Sequence, residues 1–137
     1  MTAVDAYPWL KALHVACALL FVGGVVANGL LLAAGRAAPD RVAPLAAALL
    51  RWDRRVTMPA LLGVWALGLG LAVTGGWFAA GWLQAKLVLA VLLSAIHGLQ
   101  SGRIRRLGRG DGAAPPRVSA LIVPALVAIA VLAVIKP

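Results

Sequence analysis

The stretch Gly81–Leu107, GWLQAKLVLAVLLSAIHGLQSGRIRRL, decides the fold. Its apolar part is long enough to cross a bilayer as a helix, since ~20 residues cover ~30 Å of hydrocarbon. Yet Lys86, His97 and Gln100 lie inside that run or at its edge. Such groups are costly in hydrocarbon and turn toward a bundle interior or a functional site. Helical side chains advance about 100° per residue, so Lys86 and His97 differ by only about 20° around the axis. Gln100 falls about 40° from Lys86 on the other side. All three share one face, which is expected to look inward.

The rest of the chain repeats this character. Its 137 residues are 63% hydrophobic, with a mean hydropathy of +0.96, far more apolar than a soluble domain of this length. The pattern predicts an all-α integral membrane protein: one domain of four helices, an antiparallel bundle with short connections. The helices are expected roughly from Pro8 to Ala34, Thr57 to Thr74, Trp82 to Arg105 and Arg117 to Ile135. Asp40–Arg55 sets leucines and alanines against Arg41, Arg51 and Arg54. It reads as an amphipathic helix lying on, or rising from, the cytoplasmic surface between the first two spans. The first apolar run exceeds the ~7–15 residues of a signal core, so it is expected to stay as a span.

The net charge of +9 is placed asymmetrically. Arg36, Arg41, Arg51, Arg54 and Arg55 lie between the first and second spans, and Arg103, Arg105, Arg106, Arg109 and Arg117 between the third and fourth. The Gly75–Gly81 turn carries none. The positive-inside rule makes both arginine-bearing loops cytoplasmic and both termini outer, periplasmic in a bacterial inner membrane. The arginines are expected to meet anionic lipid rather than nucleic acid. The single cysteine, Cys17, excludes an internal disulfide, and there is no Walker loop, Rossmann fingerprint, CxxC or HExxH motif.

The first helix carries a polar stripe of its own. His14 and Asn28 share a face with Phe21 between them. His14 lies about 8–10 Å inside the outer interface marked by Trp9, and Lys86 at a similar level below Trp82. His97 lies roughly 16 Å further along its helix than Lys86, near the level of Asn28. Imidazoles on opposite sides of one iron place their nitrogens only ~4 Å apart, so one haem clamped by both histidines is not expected.

The segments YPWLKALHVACALLFVGG, TMPALLGVWALGLGL, GWLQAKLVLAVLLSAIHG and the terminal VIKP resemble the HemJ-type protoporphyrinogen IX oxidases. They are also similar to the related copper resistance protein D (CopD) membrane family. The resemblance spans nearly the whole chain through degenerate motifs. It implies a four-helix inner-membrane protein that binds haem b and oxidises a porphyrinogen, passing electrons to a membrane acceptor such as a quinone. His14 and His97 match the family's histidines and are the implied iron ligands. Lys86 matches the lysine of GWLxxKL, and Lys136 that of the final KP. His14 and Lys86 are thus the implied catalytic residues: His14 for proton transfer, Lys86 to pair with a propionate. A neighbour such as Asn28 is expected to hold the second ring nitrogen of His97, with Gln100 on the same cofactor-facing side. Where the family has an aromatic–Pro–Arg stretch late in the first helix, this chain reads VVANGLLLAAG.

Other readings predict different behaviour. A non-catalytic haem-binding or electron-transfer subunit would bind haem without turning over a porphyrinogen. A CopD-like protein would handle copper, using Cys17 and His14, and a structural subunit would bind no cofactor. Each histidine has a plain role as well, as a bundle residue hydrogen-bonded across helices. The small interior of four short helices suggests a homodimer or a larger membrane complex.

Overall fold

The computed structural model describes residues 3–111 and 120–134. Arg117, Lys136 and most of the loop before the last helix lie outside the described residues. Every described element is helical: α1 (Ala3–Ala37), α2 (Pro39–Trp52), α3 (Met58–Gly75), α4 (Gly81–Gly108) and α5 (Ile122–Val134). A π-helical turn, Asp53–Thr57, joins α2 to α3, and a short 3₁₀ turn, Trp77–Ala79, precedes α4. Three stretches are long and apolar enough to cross a membrane: Ala6–Ala37, Pro39–Gly75 and Gly81–Gly108. These three mark the chain as a helical membrane protein. The fourth, α5, is apolar but shorter.

Local chemistry explains the joints. Ala38 leaves the helical region, at φ −149° and ψ 69°, because the proline that follows it disfavours α geometry. Pro39 then opens α2, where its missing N–H costs nothing. α3 stops at Gly76, whose φ of +67° is a left-handed cap open to glycine at little cost. Gln84 Nε2 donates to the Phe78 carbonyl at 3.2 Å, tying the start of α4 to the turn before it.

Two apolar clusters hold the helices together. One gathers Phe21 and Val25 of α1, Ala60 of α3, Leu93 and Ile96 of α4, and Ile122 and Ala125 of α5. The second gathers Leu32, Ala46 and Ile104. Ala46 is wholly buried, so α2 packs its inner face onto α1 and α4. The amphipathic segment, expected to lie on or rise from the surface, packs against α1 and α4 and runs on into α3 through the π turn, with no loop between them. Outside, large apolar side chains stay bare, among them Leu19, Leu62, Val88 and Val123, each about two-thirds exposed. Such surface suits hydrocarbon and would be a liability in water.

Candidate functional site

The polar residues form two separate groups. The first surrounds Asp53, which heads the π turn. A π turn carries an extra residue and is common at functional sites. Here Asp53 and Thr57 are buried while Arg54 and Arg55 between them are exposed. His97 of α4 reaches across, with Nε2 2.7 Å from Asp53 Oδ1. Ser101, one turn later on α4, donates from Oγ to Asp53 Oδ2 at 3.0 Å. Asn28 of α1 donates from Nδ2 to Oδ1 at 3.5 Å, a longer contact. A carboxylate can only accept. With a hydroxyl and an amide also pointing at it, the carboxylate accepts a hydrogen bond from the imidazole at Nε2 as well. Phe21 fixes the ring from the side, edge-on at 5.6 Å between centroids and 71° between planes.

A cavity of about 270 Å³ opens beside this pair, lined by Asp53, His97, Ser101, Arg54 and Arg105 among others. Sites for small molecules run about 300–1,000 Å³, so it suits the polar end of a molecule rather than a whole porphyrin. Its two arginines are exposed. They place fixed positive charge at the mouth, with a buried hydrogen-bonded pair behind it.

The second group lies at the other end of the helices. The His14 ring is seated on α3 where Gly68 leaves room: a Cβ at that position would stand 2.9 Å from His14 Cε1. The Val64 backbone is near enough to bear on the ring, as is the charge of Lys86, yet His14 Nδ1 is buried without a hydrogen-bond partner of good geometry among the described residues. Cys17, one turn further along α1, packs its Sγ against Gly63.

The structure thus divides the residues expected at one site. His14 and Lys86 come together, and Asn28 and His97 come together, with the Phe21–Leu93–Ile96 cluster of apolar side chains nearby. Gln100 is fully buried beside Gly29 on the His97 side. One expectation needs correcting: Asn28 does not hold the His97 ring itself. Asp53 does, and Asn28 reaches Asp53 instead. Asp53, Ser101 and Thr57 are absent from the residues expected from sequence.

His97 Nε2 is engaged by Asp53, His14 Nδ1 is buried against α3 at Gly68, and the two rings belong to different groups, so they do not clamp one haem b between them. Among the described residues, no three His, Cys, Asp or Glu side chains gather as a metal site. Compared with protein-family models, curated proteins and solved structures, the chain matches none.

Proposed function

We propose that this chain is a multi-pass membrane oxidoreductase of the HemJ-type class that its sequence resembles, with the Asp53–His97 pair as its proton-accepting centre. The observation that carries the reading is the buried 2.7 Å contact between His97 Nε2 and Asp53, opening onto an arginine-lined cavity. Oxidation of a porphyrinogen-type substrate releases protons along with electrons. A histidine whose one nitrogen is fixed by a carboxylate has the other available as a general base. Arg54 and Arg105 suit the carboxylates of an amphiphilic porphyrin edge, the apolar remainder of which would lie against the helices and lipid. Electrons pass to a membrane acceptor of the quinone class.

The proposal includes a topology. Contacts between α1 and α3 run in opposite order along the two helices: His14 to Gly68, Cys17 to Gly63 and Gly24 to Thr57. Those between α1 and α4 run in the same order, from Phe21 and His97 to Gly35 and Leu107. Both support spans that cross up, down and up in a four-helix antiparallel bundle, completed by α5. The arginine loops then face the cytoplasm and the termini the outer side of a bacterial inner membrane.

The test is porphyrinogen oxidation by the full chain in proteoliposomes containing a quinone, followed by porphyrin fluorescence. Wild type should exceed the protein-free rate. Asp53→Asn and His97→Gln should each lose about 100-fold or more of that excess, the usual contribution of a positioned base. A wild-type rate equal to the protein-free control would overturn the assignment.

A further inference from the structure

Around the Asp53–His97 pair, three side chains are buried almost completely and carry polar atoms with no partner among the described residues. They are Asn28 Oδ1, Thr57 Oγ1, and both Nε2 and Oε1 of Gln100. Asn28 is 1% exposed, and Thr57 and Gln100 are 0%. Each adjoins the pair: Asn28 donates to Asp53, Thr57 closes the same π turn, and Gln100 follows His97 by one helical turn. The backbone of α1 is cut away to admit them. Gly24 lies against the Thr57 side chain, where a Cβ would collide, and a Cβ on Gly29 would stand 3.2 Å from Gln100 Nε2. Within GGVVANG, Gly24 and Gly29 thus make room for Thr57 and Gln100 on either side of Asn28.

Burying a polar group unpaired costs about as much as losing a hydrogen bond, and native interiors seldom tolerate several together. We infer that this layer, formed by Asn28, Thr57 and Gln100 across α1, the π turn and α4, is a binding site for buried water that joins the hydrogen-bond network of Asp53 and His97. The chemistry of the unpaired atoms selects the occupant. A metal cation would satisfy the oxygens and leave the Gln100 Nε2 donor stranded. Water both donates and accepts, and a buried water typically makes about three hydrogen bonds. The inference rests on packing and unpaired atoms, and it holds whether or not the chain oxidises a porphyrinogen.

The test is a double-mutant cycle on the full chain in lipid nanodiscs, read by thermal unfolding in sodium-free and sodium-containing buffer. Thr57→Val keeps the shape and removes one anchor, and Gln100→Met removes two. With shared water, each single variant melts lower by roughly 5 °C. The double variant then falls short of the sum, because the second change finds the water already gone. In wild type, proton magnetisation should pass rapidly from water to the Gln100 side-chain amide in solid-state NMR. That reading stands even if a variant fails to fold. Single variants that melt at or above wild type, additive effects, or a Gln100 amide with no transfer from water would each overturn the site. Stability that rises specifically with sodium would replace water by a cation.

Discussion

Asp53 Oδ1 and His97 Nε2 meet at 2.7 Å across a sequence separation of 44 residues, with both side chains buried. This contact ties the π turn to α4 and sets the orientation of the α4 histidine. Removing the carboxylate strands the imidazole N–H and the Ser101 hydroxyl, and each buried donor left unpaired costs about 1–3 kcal/mol. Asp53→Ala should therefore destabilise strongly, and Ser101→Ala, which removes one donor to the carboxylate, by about 1–3 kcal/mol. Denaturant unfolding in detergent measures both. Equal stability of Asp53→Ala and wild type would mean that the contact does not form.

The neighbouring glycines of α1 give a paired test of the helix packing. Gly24 faces Thr57 with no room for a methyl group, whereas a Cβ on Gly23 would meet nothing within 4 Å. Gly24→Ala should cost about 1–3 kcal/mol through overpacking. Gly23→Ala should be neutral or stabilise by about 0.5–1 kcal/mol, since a helical glycine carries an entropic cost. Similar effects at the two positions would contradict the α1–α3 interface described above.

At the other end, Gly68→Ala should displace the His14 ring, because its Cβ would stand 2.9 Å from Cε1. Gly70→Ala, two residues on and open, should not. The His14 side-chain signals in NMR of the labelled protein report which occurs: a shift in Gly68→Ala alone supports the seating, and an equal shift in both variants opposes it.

Topology makes a separate prediction. In a Cys17→Ala background, Phe78→Cys should react with a membrane-impermeant maleimide added outside intact spheroplasts, and Arg109→Cys only after the membrane is opened. The reverse pattern would invert the orientation that the arginine loops specify.

Much of this was legible in the sequence, for a physical reason. Angular position along a helix is fixed at about 100° per residue, so His97 and Gln100 on one helix and Phe21 and Asn28 on another could be placed inward, and all four are buried. Depth was legible too, because 1.5 Å per residue from a tryptophan or arginine boundary separates His14 and Lys86 from His97. Asp53 was not. It sits between Trp52 and a pair of arginines, where a charged residue reads as the edge of a loop. The π turn that buries it inserts a residue that no regular helical period anticipates. The available signal was scarcity: only four acidic residues occur in the chain, and this one lies just before an apolar span, with Arg54 and Arg55 between. Thr57 and the glycines facing it escaped for a related reason, since which small residue faces which partner depends on how the helices pack and not on either helix alone.

The most direct test of the account is the protonation pattern of His97 in lipid, read from the nitrogen chemical shifts of histidine-labelled protein by solid-state NMR. A general base at His97 requires a single neutral tautomer with the proton on Nε2 and a bare Nδ1, lost or reversed in Asp53→Asn. A His97 proton on Nδ1 in wild type, or a spectrum unchanged by Asp53→Asn, would contradict the pairing and the function built on it.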